Sequence, residues 1–213
     1  MSGTRERFDE LAGELVAIGR RFYERNWVLG TSGNFSAVVA TKPLRIAITP
    51  STAHKGKLGA SQILEIDGSG RITGGQTGRP SAETLLHIEI VKQRHAGAVL
   101  HTHSVWSTIL SDRHQPAQGL AIDGYEMVKG LDGVTTHEHR EWIPIVDNDQ
   151  DMTRLARRVR SVLGKFPAAH AFLICRHGLY TWGRTLADAE RHVEILEFLF
   201  ETLGRATAGQ ADA

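Results

Sequence analysis

The stretch from Gly97 to His103 constrains the fold more than any other part of the chain, because it joins an apolar run to two histidines. Side chains on a β-strand alternate between its two faces, so His101 and His103 are expected to point to the same side. Two imidazoles on one side can bind the same cation, and zinc and related ions accept neutral imidazole readily. The pair alone leaves two interpretations open, namely half of a metal site or a buried strand that ends at the surface.

Two other parts of the chain could supply a third metal ligand. His177 follows the apolar run Ala171–Cys175 and precedes Gly178, a position that is typical of a site at the end of a strand. The alternative is the doublet of His137 and His139, which lies among polar residues and is more typical of a solvated loop. We therefore favour His177 as the third ligand.

Several loops offer hydroxyl groups and backbone N–H groups that suit an anionic ligand. The last of them contains Ser81, which is predicted to cap a helix over residues 82–93, where unpaired N–H groups and the helix dipole favour an anion. Serine, threonine and glycine are common in any turn, but together with a metal site these loops indicate a phosphorylated substrate. The loop residues are Thr31, Ser32, Gly33, Asn34, Ser51, Thr52 and Ser81.

Two glutamates are candidates for proton transfer. Glu83 lies in the first turn after Ser81, where an acidic residue also serves simply to offset the helix dipole. Glu126 lies between apolar positions in a predicted short helix over Tyr125–Gly130. A partly desolvated carboxyl near a cation is a workable general acid or base, whereas an exposed helix glutamate has no such role. Both interpretations stay open for each residue.

Composition bounds the class of protein. The chain has 213 residues, of which 41% are hydrophobic and 23% charged, as is usual for a soluble protein that buries a substantial core. We expect one domain over residues 1–213, with an ordered core at about 8–203 and a flexible tail over 204–213. The formal net charge is +1 and the basic residues are scattered, which argues against nucleic acid or a membrane surface as a partner.

Compartment and fold class follow from simple patterns. Cys175 is the only cysteine, and neither a signal peptide nor a membrane-length apolar run is recognisable, so a cytoplasmic location is expected.

Helical and strand patterns alternate irregularly, which predicts an α/β fold with one sheet covered by helices. Within it, Trp142–Val146 is predicted to be an edge strand because Pro144 cannot donate to a ladder. The last helix is predicted to run from Thr185 to Leu203.

Five segments, taken in order, resemble the class II aldolase/adducin family. The resemblance spans about residues 8–203 and implies a three-layer α/β/α sandwich with a central, mostly antiparallel sheet. It further implies one zinc ion per subunit held by His101, His103 and His177, a small sugar phosphate as substrate, and a cyclic homotetramer with sites near subunit interfaces. The matching segments are Thr31–Asn34, Thr49–Ser51, Pro80–Glu83, Val99–His103 and Arg176–Gly178.

The resemblance also implies roles for the two glutamates. Glu83 matches the acid/base residue of the aldolase branch, and Glu126 matches that of the dehydratase branch. The segments Glu126–Leu131 and Trp142–Asn148 look most like the dehydratase branch, and no tyrosine follows Tyr180 to serve as an aldolase proton donor. We therefore expect a metal-dependent hydro-lyase. The alternatives are an aldolase or epimerase on another sugar phosphate and a non-catalytic adducin-like module, which would not need three metal ligands.

Overall fold

The computed structural model describes residues 2–73 and 75–208, within which eight strands form one sheet. The order across the sheet is β3-β2-β1-β4-β8-β7-β6-β5, and every neighbouring pair is antiparallel except β6 and β7. The prediction of a mostly antiparallel central sheet is therefore confirmed. The strands are β1 (Asn34–Thr41), β2 (Leu44–Ile48), β3 (Leu64–Asp67), β4 (Ala98–Thr102), β5 (Gly119–Ile122), β6 (Glu141–Val146), β7 (Ala171–Ile174) and β8 (Gly178–Gly183).

Helices cover both faces of this sheet, which gives the expected three layers. The core on one face joins the sheet to α2 and α4, and the cores on the other face join it to α1, α3 and α5. None of the helices in the described ranges has the length and apolar character needed to cross a membrane. The helices are α1 (Ser2–Glu24), α2 (Thr84–Arg94), α3 (Val105–Arg113), α4 (Met152–Lys165) and α5 (Leu186–Ala208).

Alternation along β4 decides which layer each of its side chains meets. Val99 belongs to the core under α2 and α4, whereas Leu100 belongs to the core on the α1 side. His101 follows Val99 in this alternation and stacks on Tyr180, which is part of the same core as Val99. Thr102 points the other way, and its hydroxyl bonds to Glu197 on α5. The strand therefore delivers His101 to the layer that contains α2.

The prediction that Trp142–Val146 is an edge strand is wrong. β6 lies between β7 and β5, and β5 is a strand that the sequence pattern did not predict. Pro144 is tolerated because the parallel ladder with β7 begins only at Ile145, while Pro144 itself stands opposite Gly119 of β5. The missing N–H group of proline is therefore not needed by β7.

The prediction that Ser81 caps α2 is also wrong. The helix begins at Thr84, directly after Glu83, and Ser81 lies in the preceding turn. The Ser81 hydroxyl accepts the backbone N–H of Glu83 at 3.3 Å, and its carbonyl accepts the hydroxyl of Thr84 at 2.7 Å. Glu83 rather than Ser81 therefore stands at the start of the helix.

The predicted end of the last helix at Leu203 is wrong as well, because α5 continues to Ala208. Gly204 packs so closely on Trp106 of α3 that a Cβ atom there would lie 2.1 Å from the indole ring. This contact packs the end of α5 against α3, although the residues after Leu203 are mostly small or polar. The rest of the predicted tail, residues 209–213, lies outside the described residues.

Glu197 anchors the end of β4 to α5 through a buried carboxyl group. It accepts the Thr102 hydroxyl at 2.7 Å and is 3% exposed. Burial raises the pKa of Glu197 from 4.5 to about 7, although the hydroxyls of Ser104 and Thr102 act in the opposite direction. The folded state therefore holds a proton that the unfolded state releases at lower pH.

We expect Glu197→Gln to flatten the pH dependence of stability. Because the pKa of Glu197 is higher in the folded state, its protonated carboxyl contributes its full stability below about pH 4.5. This contribution is lost as the pH rises through about 7. The loss relative to the variant is on the order of 3 kcal/mol by pH 8. Urea unfolding at pH 5 and pH 8 measures it, with the exposed Glu24→Gln as the charge-matched control. Parallel pH profiles for the wild type and Glu197→Gln would contradict the assignment.

Candidate active site

Three histidines converge at the carboxyl end of β4. The Nε2 atoms of His101 and His103 are 2.8 Å apart, those of His103 and His177 are 3.2 Å apart, and those of His101 and His177 are 3.3 Å apart. His101 lies on β4, His103 directly follows that strand, and His177 directly precedes β8. The structure therefore brings together the three residues that the sequence predicts as metal ligands.

Close backbone packing at two glycines makes this convergence possible. A Cβ atom at Gly178 would lie 2.0 Å from the Thr102 carbonyl oxygen, so only glycine allows β8 to begin against the end of β4. Gly33 has a φ of +70°, and a Cβ atom there would lie 2.7 Å from the His101 carbonyl oxygen. The loop before β1 and the turn before β8 therefore both reach the histidines.

All three imidazoles are held in the neutral form. The Nδ1 atom of His101 is 2.8 Å from the Leu179 carbonyl, which can only accept, so Nδ1 carries the proton and Nε2 presents a lone pair. Burial lowers the pKa of His101 well below its usual range. Burial also lowers the pKa of His103 to about 3 and lowers that of His177. Neutral imidazole is the form that binds a metal ion.

The donor set fits a divalent first-row metal ion. Protons cannot satisfy all three short Nε2 contacts, because the Nε2 atom of His101 carries none. A cation between the three lone pairs would satisfy them together, and three protein ligands with an open fourth position are typical of catalytic metal sites. The other cluster of possible ligands in the described chain contains His139 and lies apart from these three residues.

Glu83 lies directly against the histidines. Its Oε2 atom is 3.4 Å from Nε2 of His101, and its Oε1 atom is 3.3 Å from Nε2 of His177. The amide of Asn34 donates to Oε2 at 2.6 Å and fixes the direction of the carboxylate. Of the two predicted acid/base residues, Glu83 is thus the one that the fold brings to the candidate metal site.

The sequence did not predict the buried chain of hydrogen bonds that lies behind Glu83. His87 is fully buried, and burial lowers its pKa to about 3, so the ring is neutral. Ser36 donates its hydroxyl to Nδ1 of His87 at 2.7 Å, and Nε2–H of His87 donates to the side-chain oxygen of Asn34. The amide nitrogen of Asn34 must then face Glu83. A single histidine in a helix gives no sequence signal for such a role.

The predicted phosphate-binding loops line one cavity of about 300 Å³ beside the histidines. The loops meet because Ser51 donates its backbone N–H to the Arg79 carbonyl at 2.8 Å, which joins the turn at Pro50 to the turn at Pro80. Ser32 contributes a buried hydroxyl without a partner among the described residues. The predicted residues on the wall are Thr31, Ser32, Gly33, Asn34, Ser51, Thr52, Ser81, Glu83, His103 and His177.

Lys55 is a further wall residue that the sequence did not single out. Its side chain is buried, and its ammonium group donates to the carbonyls of Ala53 at 2.8 Å and Thr31 at 3.2 Å. Burial lowers the pKa of Lys55 to about 8, although the charge of Glu83 raises it. Asn148, Gln150 and Met152 complete the wall from the segment that leads into α4. The cavity therefore combines hydroxyls, one cation and the histidine cluster.

Glu126 is not part of this cavity in the single chain. It begins a short 3₁₀ helix over Glu126–Gly130, and its side chain is 72% exposed. Its carboxylate accepts from the ammonium group of Lys129 at 2.6 Å, and this bond lowers its pKa. Its catalytic role therefore stays a prediction, and it requires that Glu126 of one subunit reaches the cavity of another.

Comparison with known proteins agrees with this architecture. Among solved structures, an L-fuculose 1-phosphate aldolase superposes with a TM-score of 0.78 at 20% identity, over 96% of this chain and 89% of that one. An L-fuculose-1-phosphate aldolase from Thermus thermophilus superposes with a TM-score of 0.73 at 21% identity, over 98% and 99% of the two chains. At these identities the similarity establishes the fold, an α/β sandwich of the class II aldolase type.

Sequence comparison is more specific. The methylthioribulose-1-phosphate dehydratase of Marinobacter nauticus is 45% identical over 92% of this chain and 93% of its own length. The enzyme of the same name from Methylococcus capsulatus is 46% identical over 91% and 93%. The family model described as "Class II Aldolase and Adducin N-terminal domain" matches residues 13–203. The chain therefore belongs to the class II aldolase/adducin family.

Proposed function

We propose that the protein catalyses the zinc-dependent dehydration of 5-methylthioribulose 1-phosphate to 2,3-diketo-5-methylthiopentyl 1-phosphate, a lyase reaction of methionine salvage. The observation that carries the proposal is the convergence of three neutral histidines and Glu83 on a cavity lined by hydroxyls and Lys55. The relatives named as methylthioribulose-1-phosphate dehydratases, at about 45% identity over nearly the whole chain, support the choice of substrate.

In this proposal the polar loops bind the phosphate group. The hydroxyls of Ser51, Thr52 and Ser81 line the cavity, and each can donate to a phosphate oxygen. The Lys55 ammonium group supplies the positive charge and is already held in place by two backbone carbonyls. A charge-assisted contact of this kind is about twice as strong as a neutral hydrogen bond.

His101, His103 and His177 would hold the zinc ion. When bound, zinc would supply a Lewis acid that polarises the oxygen of a substrate carbonyl. Burial keeps all three imidazoles neutral, and the Leu179 carbonyl fixes the ring of His101, so the three rings can bind the ion.

The remaining chemistry is proton transfer between carboxyl groups and the sugar. The C3–H bond breaks and its proton passes to a carboxylate, which leaves an enediolate of the substrate. The C4–O bond then breaks, and the hydroxyl takes up a proton and leaves as water. The resulting enol gains a proton on carbon as it becomes the diketone. We assign the transfer at C3 to Glu83, and its position beside the histidines and its hydrogen bond from Asn34 support this assignment.

We assign the proton delivered to the C4 oxygen to Glu126 of a neighbouring subunit in a cyclic homotetramer, where burial at the interface would raise the pKa that Lys129 lowers in the single chain. Each chain would contribute one class II aldolase-like domain. Exposed apolar side chains support an assembly, because Val105 and Ile109 stand four residues apart on one face of α3, and Phe198 is exposed on α5. Met127, next to Glu126, is exposed too.

With Cys175 as the only cysteine and no membrane-spanning helix in the described ranges, we place the enzyme in the cytoplasm.

An aldolase or epimerase acting on another sugar phosphate is the second candidate function. The position of Glu83 favours it, since this residue matches the acid/base glutamate of the aldolase branch and lies at the histidine cluster. The two reactions share proton removal next to a carbonyl and differ in the bond that breaks next.

Incubation with 5-methylthioribulose 1-phosphate should distinguish the two functions. We expect a product lighter by one water molecule in mass spectrometry, formed only with metal-loaded protein. A chelator-treated sample is the control, and restored zinc should restore the reaction. A two-carbon and three-carbon cleavage pair, or an isomer of unchanged mass, would reject the dehydratase assignment.

Replacement of each glutamate should slow dehydration. We expect Glu83→Gln and Glu126→Gln each to lower kcat by roughly 100- to 10,000-fold, the usual contribution of a general acid or base. Steady-state kinetics measures the effect, with Glu138→Gln as a control in a neighbouring polar loop. A full rate for either variant would remove that residue from the mechanism.

Mixed tetramers test whether Glu126 acts across a subunit interface. If Glu83 and Glu126 of one site come from different chains, co-refolding the two variants in equal amounts should restore about a quarter of the sites. Activity of the mixture, compared with each variant alone, measures this recovery. If the mixture stays inactive although mass spectrometry shows mixed oligomers, Glu126 does not act from a neighbour.

Lys55→Met should weaken substrate binding. A hydrogen bond to a charged group contributes about 1.5–3 kcal/mol, so we expect KM to rise on the order of 10- to 100-fold with a smaller effect on kcat. The nearby Lys57→Met is the control, because Lys57 is exposed and does not line the cavity. Equal KM values for the two variants would exclude Lys55 from phosphate binding.

A further inference from the structure

A second group of possible metal ligands lies away from the active site. His139 is in the loop before β6, Glu141 is the first residue of β6, and His170 directly precedes β7. Because β7 is antiparallel to β8 and β8 is antiparallel to β4, the beginning of β7 lies at the opposite end of the sheet from His101 and His103. This second cluster, His139, Glu141 and His170, is therefore separate from the active site.

The geometry of the second cluster is that of a ligand set. The Oε2 atom of Glu141 is 2.8 Å from Nε2 of His139 and 3.0 Å from Nδ1 of His170. The three donor atoms all lie within 4.8 Å of one another. Two imidazoles and one carboxylate form a known three-ligand set for zinc.

Supporting contacts orient two of the three side chains. The Nε2–H group of His170 donates to the Asp132 carbonyl at 2.8 Å, which leaves Nδ1 facing Glu141. The other carboxylate oxygen of Glu141 accepts the backbone N–H of His170 at 2.9 Å. Metal-binding histidines usually donate their second N–H to a carbonyl or carboxylate in this way. The arrangement is therefore held in place without an ion.

Burial of Glu141 adds the energetic argument. The residue is 1% exposed, and a buried carboxylate requires a compensating positive charge, which without an ion comes from the ring of His170. His139 is only half-buried, and with Glu141 it lines a cavity of about 220 Å³ that also includes Trp142 and Phe166. This cavity reaches two of the three proposed ligands and gives an ion a path to them from solvent.

We propose that His139, Glu141 and His170 form a second site for a divalent first-row metal ion, with a structural role. A bound ion would join the loop before β6 to the first residue of β6 and to the residue that precedes the parallel strand β7. Asp132 connects the same loop to α5, because its backbone N–H donates to Nε2 of His192 at 3.0 Å. The ion would thus fix the segment that follows the 3₁₀ helix of Glu126 on the sheet.

Metal stoichiometry tests the second site directly. Chelator-stripped wild-type protein, dialysed against micromolar free Zn²⁺, should hold two zinc ions per chain by elemental analysis. We expect one ion per chain in His139→Ala and in the isosteric Glu141→Gln, and two in His137→Ala, an exposed neighbour outside the cluster. Equal zinc content in the wild type, His139→Ala and Glu141→Gln would overturn the proposal and leave the cluster as a proton-linked ion pair.

A variant without the active-site ligands gives an independent readout. His103→Ala/His177→Ala should still bind one zinc ion, and Zn²⁺ should raise its Tm because an ion that binds only the folded state stabilises it. Adding Glu141→Gln to this variant should abolish both effects. If zinc neither binds to the double variant nor shifts its Tm while circular dichroism shows a folded chain, the second site does not exist.

Discussion

The candidate site depends on one constraint, the contact of two glycines with the last two carbonyls of β4. Gly33 and Gly178 approach the carbonyl oxygens of His101 and Thr102 more closely than any side chain would permit. These contacts draw the loop before β1 and the turn before β8 onto one strand end, where His101 is fully buried and His103 and His177 are partly buried. Exclusion of water lowers the pKa values of the histidines, so the same packing that brings the ligands together also keeps them neutral.

The orientation of Glu83 depends, through Asn34, on which ring nitrogen of His87 carries the proton. Because burial keeps His87 neutral, its Nδ1 accepts from Ser36 and its Nε2–H must donate to the oxygen of Asn34. Asn34 can then present only its NH₂ group to Glu83, and an NH₂ group holds a carboxylate by donating to it. A protonated His87 could no longer accept from Ser36. The direction of the Glu83 carboxylate is thus linked through Asn34 to the buried ring of His87.

The sequence predicted local patterns well and long-range consequences poorly. The alternation of β4, the three histidines and the hydroxyl loops were found because each has a signal within a few residues. Lys55 and His87 have none, since their importance arises from burial, which the rest of the fold creates. The edge assignment of β6 failed because β5, which the sequence pattern did not predict, pairs with β6 on the side away from β7, and the ladder with β7 begins only after Pro144. The capping role given to Ser81 failed because an additional turn precedes α2.

The parallel pair of β6 and β7 explains why two clusters of ligands occur on one sheet. In an antiparallel pair, consecutive strands begin at opposite ends, so residues that precede both strands lie far apart. β6 and β7 begin at the same end, which brings Glu141 and the residue before β7 together. The parallel return is made by α4, and the segment leading into that helix contributes Asn148 and Met152 to the active-site cavity at the other end. One crossover connection therefore supplies a wall of the active site and closes the second cluster.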